Sequence, residues 1–277
     1  MGTKNRVACH ICNRPTVEYF RSLILGKYDA PYQYCEACDH VFVEDPFWLN
    51  EAYSDAIVAA DTDIVVRNIR TALRLAAIFH FGFGERGTGK YADAAGGYGL
   101  LTRLMRDLGF DYYWSDPYAQ NLFARGFEYD TKREPCSAIS AIEVLEHVAD
   151  PVHFIQECLT NFQTDTIAFT TETFPDKRPP LAKDWYYYAP ETGQHIAFFS
   201  SHGLQTLASR LGLRYIRLGR IHLFTRKTPS HFKLKFATNN ALVLPMALAA
   251  VKRLGSKRGA DQALLMKAAR SAWSKSS

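Results

Sequence analysis

The stretch Asp93–Gly99, DAAGGYG, constrains this chain more than any other. A short apolar run, YADA (91–94), leads into Gly96, Gly97 and Gly99. LLTRLMRDLG (100–109) follows, with Leu100, Leu101, Leu104, Met105 and Leu108 at helical spacing and Gly109 as a stop. Strand, glycine turn and helix in this order open an alternating α/β architecture.

The downstream sequence continues the alternation. FDYYWSD (110–116) reads as a second strand ending in an acid, and SAISAIEVL (137–145) as a third. PVHFIQECLTNF (151–162) is a helix opened by Pro151, and TIAFTTETF (166–174) is a strand. A helix capped by Ser200 or Ser201, a strand, and IHLFTRK (221–227) close the sheet. The expected fold is α/β, a Rossmann-like, mostly parallel sheet with helices on both faces, plus a small N-terminal zinc ribbon and a C-terminal helical tail. The expected segments are a ribbon over 1–45, a helical connector over 46–85, the Rossmann-like domain over 86–228 and a basic tail over 229–277. In such sheets ligands bind at the carboxyl ends of strands. The glycine loop, Asp116, Glu143 and Glu172 all fall at expected strand ends.

Four of the six cysteines form two pairs, Cys9-x2-Cys12 and Cys35-x2-Cys38. Two such turns complete a tetrahedral four-sulfur site, so structural Zn2+ is expected on Cys9, Cys12, Cys35 and Cys38. A site filled by four thiolates has no open position for catalysis. Cys136 and Cys158 read as buried small apolar residues. His10 and His40, beside the ligands, read as surface or supporting residues.

Charge is uneven. From Arg226 onward there are eleven Lys and Arg and one acid, Asp261, in a chain of net charge +5. The tail reads as an appended helical segment that offers peripheral contact to an anionic surface or partner. Its apolar run ALVLPMALAAV (241–251) is far shorter than the roughly 20 residues a membrane span needs. No secretory signal pattern opens the sequence, so a cytoplasmic setting is expected.

Gly97-x-Gly99 is followed by Thr102 where a dinucleotide fingerprint has its third glycine, which argues against NAD and FAD. No Gly-Lys-Ser/Thr follows, so a P-loop is absent. DAAGGYG, the strand-end Asp116 and IEVLEHVADP (142–151) together resemble the class I S-adenosylmethionine-dependent methyltransferases over about residues 86–225. The resemblance implies a cofactor site with Asp93 as the first-motif acid and Ala95 in the first glycine place. Gly97 and Gly99 take the next two places, and Gly96 supplies freedom beside Ala95. Asp116 is implied at the ribose hydroxyls, Glu143 along the methionine part, and Asp93 at the loop or the cofactor's ammonium. The zinc segment and GQHIAFFSSHGL (193–204) resemble a subgroup of sugar methyltransferases, some acting at carbon on nucleotide-linked deoxysugars.

Methyl transfer to a hydroxyl or carbon acid needs a base. His195 is the expected base, with Glu172 on substrate hydroxyls. His147 reads as a cofactor neighbour or a helix cap. Tyr186, Tyr187 and Tyr188 are expected to stack on a sugar or base as a lid. The expected partner is a small molecule, a carbohydrate or nucleotide-sugar, rather than nucleic acid. Two rivals remain: an RNA base methyltransferase, favoured by the basic tail, and a non-catalytic zinc-ribbon interaction module, favoured by Ala95.

Overall fold

The computed structural model describes residues 7–53, 61–83, 86–130, 135–237 and 239–276; residues 54–60 and 84–85 of the expected connector lie outside them. In chain order, β1 (Val17–Ile24), β2 (Tyr28–Cys35) and β3 (His40–Val43) precede α1 (Leu49–Ala52) and α2 (Ile64–Ala77). Next come β4 (Lys90–Ala94), α3 (Leu100–Asp107), β5 (Asp111–Ser115), β6 (Ala138–Ile142) and α4 (Pro151–Asn161). β7 (Thr166–Thr170), β8 (Thr173–Phe174), β9 (Ala197–Ser200), α5 (Ser201–Arg210), β10 (Arg214–Leu218) and β11 (Ile221–Thr225) follow. Helices α6 (His231–Ala237), α7 (Asn240–Leu254) and α8 (Arg258–Ser276) make the tail helical, as expected.

The chain divides into two units. The first holds Met1–Ala56, Ala141–Asn161 and Asp165–Arg226; the second holds Ile57–Ser140, Phe162–Thr164 and Lys227–Ser277. Strand β6 begins in the second unit and ends in the first.

In the second unit β4 pairs in parallel with β5 on one side and with the start of β6 on the other. The strand order therefore reverses at β4. That is the switch point of a Rossmann-like sheet, where ligands bind outside the carboxyl ends. The ring of Tyr91 on β4 stacks on Phe79, with centroids 4.9 Å apart, and meets Phe110 edge-on. Helix α3 packs on β4 and β5, and α2 packs on α3 and α7. The buried face of α3 is Leu101, Thr102, Met105 and Arg106; Leu101 and Met105 of the expected face are kept, and Thr102 and Arg106 replace Leu100, Leu104 and Leu108. Arg106 turns inward because an acid receives it there.

In the first unit the end of β6 lies beside β7, then β11, then β10. β11 runs antiparallel to both β7 and β10. IHLFTRK thus inserts between two strands of the sheet instead of closing it, because the tight turn at Gly219 (φ 68°) folds β10 and β11 into a hairpin. The expected single strand 166–174 is two: β7 stops at Thr170 and β8 joins a different sheet. That sheet has the order β1-β2-β3-β9-β8, so the cysteine ribbon shares its hydrogen bonding with residues 173–200. Its core gathers Tyr32, Val41, Trp48, Tyr187, Tyr188 and Phe198. Trp48 locks the edge by donating to the Gly193 carbonyl at 2.9 Å.

Candidate functional site

The glycine loop of the second unit joins β4 to α3. Ala95 has φ 56°, Gly97 53° and Gly99 85°, while Gly96 stays outside the left-handed region. This corrects the expectation that Gly96 supplies the freedom Ala95 lacks: Ala95 takes the left-handed turn itself. What Gly96 supplies is room. A Cβ there would lie 2.9 Å from Cδ1 of Trp114 and 3.0 Å from Oδ2 of Asp93. A Cβ on Gly97 would meet nothing within 4 Å, so the loop's outer edge is open. Gly99 caps α3, and a Cβ there would strike Oδ1 of Asn121 at 2.6 Å.

Asp116 sits just past β5 and organises this loop. Its Oδ2 accepts from the Gly97 N–H at 2.8 Å, and its Oδ1 accepts from Tyr118 and Ala119 at 2.7 and 2.9 Å. A carboxylate has about four acceptor positions, and these three N–H groups leave one. Trp114 Nε1 donates to the Gly97 carbonyl at 2.7 Å and completes the clamp. Asp93 lies beneath the loop, 3% exposed. Its Oδ1 accepts from the Ser140 hydroxyl, which accepts in turn from Tyr112 at 2.9 Å. Burial pushes the Asp93 carboxyl up to about 7, opposed by the Ser140 hydrogen bond and reinforced by the Asp116 charge. The structure therefore brings Asp93, Ala95, Gly96, Gly97, Gly99 and Asp116 together, in one cradle at the carboxyl ends of β4 and β5.

In the first unit the four cysteines converge. Sγ of Cys9 is 3.5 Å from that of Cys38, Cys12 is 3.4 Å from Cys35, and all four sulfurs lie within 4.8 Å of one another. An ion about 2.3 Å from four sulfurs in a tetrahedron sets them about 3.8 Å apart, so the donors fit. Each pair ends on a left-handed residue, Asn13 (58°) or Asp39 (55°), types that tolerate this conformation. The contact with Cys35 raises the pKa of the Cys9 thiol while contacts with Cys38 and Cys9 lower that of Cys35, and a cation is what lets four adjacent thiols ionise together. His40 is fully buried with its Nδ1 3.8 Å from the Cys9 sulfur, a supporting position. Cys136 and Cys158 are buried.

Also in the first unit, Glu143 and Glu172 line one shallow polar cavity with Thr171, Arg217, Arg220 and His222. Glu143 follows β6 with φ 54°, and its N–H donates to the Thr170 hydroxyl at 3.0 Å. Glu172 accepts from Tyr186 at 2.6 Å and from Arg220 at 2.9 Å. Of the three tyrosines expected as a lid, only Tyr186 is exposed. Tyr187 and Tyr188 are 5% and 1% exposed, because their rings complete the core around Trp48 and Phe198.

His195 gathers with Glu146 and His147. Its Nδ1 is 2.6 Å from the Tyr187 carbonyl, and Nδ1 of His147 is 3.0 Å from the Gln194 carbonyl. A carbonyl accepts only, so each Nδ1 carries a proton, and Nε2 is the nitrogen left to take a further partner. Burial pushes His147 down to about 3, and the His195 charge adds to this. Glu146, fully buried, accepts from the Tyr187 hydroxyl at 2.7 Å through Oε1. Burial raises its pKa against the opposing pull of His195. Sequence reading passed over Glu146; its one signal was adjacency to His147 in EVLEH.

A family model described as a methyltransferase domain matches residues 67–218. The chain belongs to this methyltransferase-domain family. The matched span of the methyltransferase domain includes the whole glycine loop, Asp116 and the Glu146–His147–His195 cluster, and it excludes the four cysteines and α6 to α8. Among solved structures, TnmH is 17% identical with a TM-score of 0.45, over 64% of this chain and 60% of that one. The mitomycin 7-O-methyltransferase MmcR is 16% identical with a TM-score of 0.43, over 64% and 59%. CalO1, a methyltransferase in calicheamicin biosynthesis, is 14% identical with a TM-score of 0.43, over 66% and 60%. This chain thus spans about six tenths of the length of these structures. No curated protein matches it in sequence. Among the described residues no helix is long and apolar enough to cross a membrane.

Proposed function

We propose that this protein transfers a methyl group from S-adenosylmethionine to a small-molecule acceptor, a sugar or nucleotide-sugar. The observation that carries the reading is the cradle at the end of β4, held by the hydrogen bond from Gly97 to Asp116 within the matched domain. Backbone without Cβ at Gly97 and the start of α3 leave space and free N–H groups for a carboxylate. Asp116 keeps one acceptor position for a ribose hydroxyl, and Glu143 is assigned to the cofactor's methionine part. When bound, the cofactor supplies an electrophilic methyl group on a sulfonium.

The acceptor class rests on the cavity chemistry. Glu172 and Thr171 suit sugar hydroxyls, and Arg217 and Arg220 in the same cavity suit phosphate. His195, whose Nδ1 donates to the Tyr187 carbonyl and leaves Nε2 facing its cluster partners, is the base that takes the acceptor's proton when no cation occupies its cluster. The four-cysteine cluster takes structural zinc, and the ribbon (1–45), connector (46–85), methyltransferase (86–228) and tail (229–277) divide the work. The tail offers peripheral contact, and a cytoplasmic setting keeps the thiols reduced.

Calorimetric titration with S-adenosylhomocysteine, against NADH as control, tests the reading. Micromolar binding of the first and none of the second supports it. Absence of binding by S-adenosylhomocysteine overturns it.

A further inference from the structure

We propose that Glu146, His147 and His195 form a second metal site, separate from the four cysteines, which takes one divalent first-row transition cation on two imidazole nitrogens and one carboxylate oxygen.

Three observations carry this. One ligand atom from each residue lies within 4.8 Å of the other two. An ion about 2.1 Å from each would hold them about 3–3.5 Å apart, so small side-chain rotations close the site. Both imidazoles are already set for ligation. Each Nδ1 donates to a backbone carbonyl, that of Gln194 for His147 and that of Tyr187 for His195. This second contact is the one a metal-bound histidine typically makes, and it leaves Nε2 as the donor. Finally, Oε2 of Glu146 is a buried carboxylate oxygen with no hydrogen-bond partner, although Oε1 is held by Tyr187. An unsatisfied carboxylate oxygen in a residue 0% exposed is costly without a cation.

The elements make the set rigid. Glu146 and His147 belong to a 3-10 turn, Leu145–His147, directly after β6 and its left-handed Glu143. The Ile196 N–H donates to the Glu146 carbonyl at 2.7 Å, which fixes His195 in the segment that leads into β9. Both histidines are half-buried and Glu146 is fully buried. Two nitrogens and one oxygen favour Mn2+, Fe2+, Co2+ or Zn2+ over Ca2+ and Mg2+, which prefer all-oxygen shells. The inference rests on this geometry alone, not on the methyl donor or the acceptor. With the cation bound, His195 would be a ligand and not the base, and the cation would supply Lewis-acid polarisation of an acceptor oxygen.

The test is metal uptake by the full-length, zinc-loaded protein, read by electron paramagnetic resonance for Mn2+ and by visible absorption for Co2+. One equivalent of either ion per chain beyond the four-cysteine zinc is expected, with nitrogen and oxygen ligation in the Co2+ spectrum. Glu146→Gln and His147→Gln should each weaken uptake at least tenfold, with zinc content and melting temperature kept as the measure of folding. No uptake of either ion at about 1 mM, a binding limit of roughly 4 kcal/mol, overturns the site. So does equal uptake by the two variants and the parent.

Discussion

Asp261, the one acid of the basic tail, is buried against Arg106 in a bidentate pair. Its oxygens accept from Nη2 and Nε of Arg106 at 2.7 and 2.8 Å, and both side chains are 6% exposed. Arg103 adds a third contact at 2.8 Å, and the Arg106 guanidinium lies 3.8 Å above the Phe127 ring. The pair ties α8 to α3, the helix that the glycine loop begins. Asp261→Ala leaves the buried Arg106 charge with Asp111 alone, at 3.1 Å, and should cost about 2–3 kcal/mol in urea unfolding, below the roughly 3–5 kcal/mol of a charge left wholly unpaired. A loss below about 1 kcal/mol would show that the tail is not anchored there. Burial opposes ionisation of Asp261, but the hydrogen bonds from Arg106 and Arg103 outweigh it and hold its pKa below the usual value. This contribution to stability is therefore intact above about pH 3.9 and fades as pH falls below it.

Asp116 reaches the loop through Gly97 and two further N–H groups. Asp116→Ala removes the clamp together with the remaining acceptor position. S-adenosylhomocysteine affinity should fall at least tenfold, about 1.4 kcal/mol by calorimetry. Unchanged affinity would remove Asp116 from the cofactor site.

Neighbouring residues of the loop should respond in opposite directions. Ala95→Gly relieves a left-handed alanine at φ 56° and should raise stability by about 0.5–1 kcal/mol, after the entropy glycine adds to the unfolded chain. Gly96→Ala drives a Cβ against Trp114 and Asp93 and should lower both stability and cofactor affinity. Paired urea melts decide this; a neutral Gly96→Ala would mean the space beside Trp114 is not needed.

The buried Asp93 supplies a pH test. Its folded pKa, raised to about 7, lies above its unfolded value of about 3.9, so the native state binds the proton more tightly. Wild-type stability from this group is complete below pH 4 and is lost as pH climbs to about 7. The advantage of Asp93→Asn over the wild type should therefore grow across that window and level off above it. A pH-independent difference would place the proton elsewhere.

His195→Ala should lower turnover by about 10²–10⁴ while leaving S-adenosylhomocysteine affinity within about twofold. Full activity would exclude His195 from proton transfer and from activation of the acceptor by a cation.

Local pattern was enough for the strand, glycine turn and helix at 90–109, for the two cysteine turns and for a serine cap on α5, which the structure assigns to Ser200, whose hydroxyl accepts from the Gly203 N–H at 3.0 Å. Each depends on residues only a few positions apart, where period and turn chemistry act directly. Long-range partners decided the rest. TIAFTTETF divides between two sheets because β8 finds β9, which no period in the sequence reveals. Tyr187 and Tyr188 leave the expected lid because the core around Trp48 offers their rings more buried apolar surface. Arg106 turns inward on α3 because Asp261, far along the chain, supplies the opposite charge. Glu146 becomes a site residue only where tertiary packing buries it and brings His195, from a distant segment, beside it and His147. The sequence by itself determined the order of elements around the glycine loop and the residue types of that loop and of the cysteine cluster. Tertiary structure decided which side chains meet, because burial and pairing are properties of contacts between segments far apart in the chain.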